Sequence, residues 1–261
     1  QKGEIQVSWV QIPSGPFFMI KMFYKPFIKN IMKVCKEKGF TINKIGSIGK
    51  NKEYSMFKIV INNHLNKRVV CFSAGIHGEE PAGPFAVLSF LKKFNLKKFR
   101  KIKIIIFPVA NPYGFDKGIR RNFLNKDLNG HFCHKKLTGE NKILYNSIKR
   151  EKIFFFHALH EDEGLKRFYL YNFENKEEKI YRDAIKLAKK YFPIKLNRSI
   201  YGDPARNGLI VNRKDGSFED RLFRDGAPYS MCTETPEARP FNQKVRCNVD
   251  IMNLVLKFSL R

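Results

Sequence analysis

The chain has 261 residues, with 50 Lys+Arg against 24 Asp+Glu and a formal net charge of +26. A hydrophobic fraction of 43% and an aromatic fraction of 14% supply a sizeable core, which excludes intrinsic disorder despite the charge. No apolar run approaches the roughly 18 residues that a membrane-spanning helix needs. Residues 1–22 read as an N-terminal extension, most of it a leader added to the protein, and 23–261 as a single domain that no repeat or Pro/Gly/Ser-rich linker divides.

Phe27, Ile31, Val34 and Cys35 fall at helical spacing, which predicts an amphipathic helix over 26–38 ended by Gly39. Two short strands follow within 44–62, turning around Lys50, Asn51 and Lys52. The pattern then changes to buried strands alternating with helices. RVVCFSA at 68–74 is the first such strand, with a loop over 75–80 and a helix over 81–94. Pro81 suits a first helical turn, where its missing N–H costs nothing. Further strands are expected at 103–109, 153–159 and 229–233, and helices at 177–192 and 242–260. The last helix carries Val245, Val249, Met252 and Leu256 on one stripe. This alternation predicts an α/β fold with a mixed, largely parallel central sheet flanked by helices. In such sheets ligands collect outside the carboxyl ends of the strands.

A strong positive charge raises the prospect of nucleic acid or another polyanion as partner. Here the basic residues are spread along the whole chain, and no tract interleaves Lys with aromatics as a nucleic-acid module does. Lysine is read as the ordinary surface residue, and no specific nucleic-acid partner is expected. The five cysteines are scattered and form no C-x-x-C pair, so they make neither a disulfide framework nor a zinc ribbon. That usage favours a reducing compartment. With no recognisable secretory signal, a cytoplasmic location is the expectation and a processed secreted form the alternative.

Each buried strand runs into a polar cluster. The first ends at Gly75-Ile76-His77-Gly78-Glu79-Glu80, where His77 and Glu80 form an H-x-x-E pair on a glycine-flanked turn. The third ends at His157-Ala158-Leu159-His160, and His160 is preferred over His157 because His157 alternates to the face of Phe155 and Leu159. Two imidazoles and a carboxylate leave a fourth position open, the pattern of a catalytic zinc site. Zinc suits that donor set better than magnesium or calcium, which prefer oxygen. The fourth strand offers Glu234 in T-E-T-P, a carboxylate placed to accept a proton from water and return it to a leaving amine. The second leads through N-P-Y-G-F into a loop with Arg120, Arg121, Asp127 and Asn129, rich in donors for an oxyanion or a substrate carboxylate.

In order and content, H-G-E-E-P-A-G, N-P-Y-G-F, R-R-N…D-L-N, L-H-E-D and T-E-T-P resemble the zinc carboxypeptidase family and its deacylase relatives, the succinylglutamate desuccinylases and aspartoacylases. The resemblance spans about two thirds of the chain. It implies one zinc ion held by His77, Glu80 and His160, with Glu234 as the catalytic carboxylate. It further implies that Arg120, or Arg121 one place on, stabilises the oxyanion and that Asn129 contacts the substrate's carboxylate. The expected activity is hydrolysis of an amide bond in a peptide, with N-acyl amino acid deacylation as the alternative. The sequence departs from the family at Gly130, where the motif D-L-N-R has an arginine that clamps a terminal carboxylate. Arg121, Arg206, Arg213 and His131 are the candidate replacements, and Tyr201 and Tyr229 are candidates for the family's substrate-covering tyrosine. The sequence leaves oligomeric state undetermined.

Overall fold

The computed structural model describes residues 23–63, 67–174 and 178–261, so the expected N-terminal extension lies outside the described residues. Helix α1 (Tyr24–Lys38) buries the apolar stripe read from its spacing and ends at Gly39, whose φ of 69° is left-handed and free of Cβ strain. It starts two residues before the expected position because the Tyr24 N–H is taken by Asp116 Oδ1 at 2.9 Å and the ring is buried. Strands β1 (Thr41–Ile48) and β2 (Tyr54–Ile61) form the hairpin, in antiparallel register from Thr41↔Val60 to Ile48↔Tyr54.

The alternating core follows in chain order: β3 (Arg68–Ala74), α2 (Ala82–Lys93), β4 (Ile102–Phe107), α3 (Pro112–Lys117), α4 (Gly139–Asn146) and β5 (Ile153–Asp162). Next come β6 (Tyr169–Glu174), α5 (Lys179–Ala188), the small pair β7 (Ser199–Ile200) and β8 (Asp203–Pro204), and β9 (Leu209–Val211). Finally α6 (Phe218–Arg224), β10 (Tyr229–Pro236) and α7 (Phe241–Ser259) close the chain. Among the described residues, eight strands form one sheet in the order β1-β2-β4-β3-β5-β10-β6-β9. Its centre, β4-β3-β5-β10, is parallel, while β2 joins β4 and β6 joins β10 antiparallel. The sheet is therefore mixed with a parallel heart, and β3, β4 and β5 are near-continuous apolar runs because helices cover both faces.

On one face α7 packs against α2 and α5, with α1 against α2. The other face is covered by α6, whose Phe218 stacks on Phe132 with ring centroids 4.1 Å apart and leans on Phe107 and Phe156. Two strands are longer than their apolar cores. β5 runs on to Asp162 and β10 to Pro236, so His160 and Glu234 are strand residues rather than loop residues. Periodicity ends where the polar functional residues begin, although the hydrogen-bond ladder continues through them.

Candidate active site

Glycine permits the first turn of the site. Gly75 leaves β3 at φ 63°, and the chain then pairs with the next strand's exit through Ala110 N–H to Ala74 O (2.9 Å) and Asn111 N–H to Gly75 O (2.8 Å). Asn111 caps α3, its Oδ1 accepting from Gly114 N at 2.9 Å with Pro112 in the first turn. Its Nδ2 donates to Arg120 O at 3.3 Å, and Gly78 N donates to Ile119 O at 3.0 Å. The N-P-Y-G-F segment thus fastens the loop that carries Arg120 to the turn that carries His77.

His77, Glu80 and His160 converge. His77 Nδ1 lies 2.6 Å from Glu80 Oε1, and His160 Nδ1 lies 3.0 Å from Glu80 Oε2. The two rings are 4.9 Å apart at 70°, and one ligand atom from each residue falls within 4.8 Å of the others. All three are buried, and Glu80 Oε2 has no hydrogen bond of good geometry. A buried carboxylate flanked by two imidazole nitrogens fits a metal ion of borderline softness. Burial by itself would raise the Glu80 carboxyl, but the His77 and His160 imidazoles outweigh it and hold it well below the usual range. Burial would likewise lower His77, yet Glu80 and the Asp127 hydrogen bond raise it to about 10.

The other sequence-derived residues divide cleanly. Arg120 reaches this cavity, with Nε on Asp127 Oδ2 at 2.8 Å and Nη1 at 3.6 Å from Glu79 and 3.7 Å from Glu80. Asp127 also meets His77 Nε2 at 3.2 Å, so one carboxylate orients both the guanidinium and the imidazole. Asn129 lines the cavity, its N–H on Asp127 Oδ1 at 3.0 Å and its Oδ1 accepting from Phe218 N at 3.4 Å. Arg121 is not among the lining residues; it is exposed and donates to Asn125 O at 3.0 Å. Glu234 sits opposite His160 in the parallel register of β10 and β5 and also lines the cavity. Burial and then the neighbouring Glu80 and Asp162 charges, opposed by His160, push its carboxyl up to about 8. His157 points to the far face, in the core, with Nε2 on Thr233 Oγ1 at 2.9 Å.

The cavity has a volume of about 510 Å³ and opens at the carboxyl ends of the parallel strands. Gly130 is part of its wall, and of the four candidate replacements for the clamp only Arg213 lines it. Arg213 lies over the Tyr171 ring at 5.3 Å, donates to the Tyr171 hydroxyl at 3.1 Å and pairs with Asp203 at 3.2 Å. Tyr201 lines the cavity, its hydroxyl on Asp162 Oδ1 at 2.9 Å; Tyr229 instead packs on Phe154 and Phe258. Sequence reasoning missed Tyr169, Tyr171 and Phe173, although their alternation in YLYNFE carries the strand signal. It also missed Glu219, which follows the cap Ser217 and reads as an ordinary acidic first turn of α6.

A model of the succinylglutamate desuccinylase/aspartoacylase catalytic domain matches residues 66–165, a span that holds His77, Glu80, Arg120, Asn129 and His160 but stops before Glu234. No curated protein matches the chain in sequence. Among solved structures, it is similar to a protein of Shewanella amazonensis SB2B provisionally called a metallopeptidase. That likeness has 27% identity and a TM-score of 0.83, covering 90% of this chain and 92% of that one. A Shewanella baltica OS155 protein of the same provisional description has 28% identity and a TM-score of 0.81, with 90% and 91% covered. A metallo-carboxypeptidase of Burkholderia cenocepacia shares the fold at 14% identity and a TM-score of 0.69, covering 89% of this chain and 68% of that one.

Proposed function

We propose that this chain, a member of the group formed by the zinc carboxypeptidases and their succinylglutamate desuccinylase/aspartoacylase-like relatives, is a one-zinc amide hydrolase that cleaves a peptide in carboxypeptidase-like fashion. One observation carries the reading: His77, Glu80 and His160 meet in the floor of a cavity, with Glu234 in strand register beside them. His77, Glu80 and His160 would hold the zinc ion, which when bound polarises a carbonyl and acidifies water. Glu234 takes the proton of the attacking water and hands it to the departing amine. Arg120, held by Asp127, turns its remaining N–H groups to the oxyanion that develops at the carbonyl. Asn129 contacts the substrate, and Arg213 faces its carboxylate in place of the clamp missing at Gly130.

N-acyl amino acid deacylation is the second reading, favoured by the domain model matched over 66–165. Parallel assays on C-terminal peptides, cell-wall peptides and N-acyl amino acids separate the two. Elemental analysis is expected to find one zinc in the protein and less in a His77→Ala variant. Glu234→Gln is expected to lose turnover while keeping its zinc; hydrolysis at the original rate in that variant removes Glu234 from the mechanism.

A further inference from the structure

One charged group in the cavity floor has no role in that mechanism. Glu219, on α6, is 1% exposed, and among the described residues neither carboxylate oxygen makes a hydrogen bond of good geometry; the Cys232 thiol is its neighbour. An unpartnered buried carboxylate is costly unless something nearby answers it. Its nearest charge partner is His160, with Nε2 3.9 Å from Glu219 Oε1. The same ring presents Nδ1 to Glu80 on its other side. His77 repeats the arrangement: Nδ1 faces Glu80, and Nε2 faces the Asp127 carboxylate. Both imidazoles therefore turn the same nitrogen to Glu80 and the opposite one to a carboxylate. Histidines that ligate metals almost always give their second N–H to such an acceptor, which fixes tautomer and ring orientation and raises ligand basicity.

We propose that Glu219 is a positioning residue whose carboxylate, at ion-pair distance from His160 in the metal-free protein, accepts the Nε2–H of that ring once a metal takes Nδ1. The inference rests on the metal-site reading above, and on the place of α6. The Ser217 cap and the stacking of Phe218 on Phe132 set the helix under β5, on the face to which His160 points. Cys232 is the other group within reach: Cys232, Glu219 and His160 also offer three ligand atoms within 4.8 Å of one another. A second ion there is the rival account, and the test separates it.

Zn2+ is titrated into metal-free wild type, Glu219→Gln and Glu219→Ala against a chromophoric chelator, and the melting temperature of each metal-free protein is recorded. Glu219→Ala is expected to weaken Zn2+ binding about 10- to 100-fold. Glu219→Gln, whose side-chain oxygen still accepts a hydrogen bond, is expected to recover part of that loss. Metal-free Glu219→Gln, equal in volume, should melt no lower than wild type, because it replaces a buried acid without opening a cavity; a fall in its melting temperature that matches its fall in affinity means that Glu219 merely supports the fold. Affinity in Glu219→Ala within about threefold of wild type overturns the proposal. So does a second equivalent of Zn2+ that binds wild type and is lost in Glu219→Ala, which makes Glu219 a ligand. A wild type that binds no Zn2+ fails the metal-site reading itself and takes this inference with it.

Discussion

Gly78 lies between two residues of the metal triad, and a single methyl group there should dismantle the site. An ideal Cβ on Gly78 would overlap the carbonyl carbon and oxygen of Gly114 and the Phe115 nitrogen, all of them backbone atoms. None can swing aside as a side chain would. Gly114 is pinned by its N–H to Asn111 Oδ1 at 2.9 Å and by Ile119 N–H to its own carbonyl at 3.0 Å. To restore even 3.0 Å, the His77–Glu80 turn and α3 must part by about 1 Å. Overpacking of this kind costs about 3 kcal/mol, or roughly 6–12 °C in melting temperature for a chain of this size. The displaced turn carries two of the three ligands, whereas His160 stays on β5. Gly78→Ala should therefore lose metal affinity and hydrolysis together, beyond what the stability loss explains. Differential scanning calorimetry and Zn2+ titration check this, and a variant that melts and binds metal as wild type does would refute the close-approach argument.

Other tests reach different parts of the molecule. At Gly130 an added Cβ would find only Asp215 O, at 3.9 Å, so Gly130→Arg should fold. An ion-paired contact of about 1.5–3 kcal/mol would raise kcat/KM on a peptide with a free C-terminus roughly 10- to 150-fold over its amidated form; equal effects on both would disprove the missing-clamp reading. Burial, helped by the His160 charge, lowers His157 to about 3, so below about 6.5 the unfolded chain takes up a proton that the folded one refuses. Stability should fall as pH drops from about 6.5 toward about 3, by up to about 1.4 kcal/mol per pH unit for this one group. His157→Gln should flatten that slope in denaturant titrations, and an unchanged slope counts against it. Lys244 pairs with buried Glu161, which also accepts the Ala82 N–H at 2.6 Å. Lys244→Met should cost about 3–5 kcal/mol, with Glu161→Gln in the same chain restoring much of it; equal denaturation midpoints for the single variant and wild type would argue against the pair.

The parts of the site legible in the sequence are those tied to strong local signals. His77 and Glu80 follow a run whose only fate is a buried strand, and Gly75 and Pro81 bracket their turn. His160 and Glu234 follow two more such runs, and the sheet places them opposite each other. Arg120 and Arg121 are adjacent in sequence and indistinguishable there. Their separation depends on Asn111, which grips the Arg120 carbonyl, and on the reverse turn at Asn122, whose Oδ1 accepts from Leu124 and Lys126. Likewise, Arg213 differs from Arg206 only in where the β9 edge leads the chain. Glu219 was illegible for another reason. Asp220 beside it takes the Ser217 cap and the Arg224 pair, so the local pattern is complete without it. Only the tertiary approach of α6 to β5 gives Glu219 something to do.

The net charge shows the same contrast between composition and placement. The chain carries +26, yet the cavity is lined by eight carboxylate residues against Arg120 and Arg213. At physiological ionic strength the field of the outer lysines decays within about 8 Å of each charge, so it bears on the approach of a ligand rather than on its binding in the floor. Inside, burial penalises the charge on Glu219 and Glu234, and the Glu80 charge adds to the cost at Glu234 as the Asp215 charge does at Glu219. The imidazoles of His77 and His160 answer part of that charge, and a divalent ion between them answers more. An arginine at 130 would have been a third cation in the wall. Its absence leaves the balance inside the cavity to the histidines, the metal and the substrate, and the total over the chain carries no information about it.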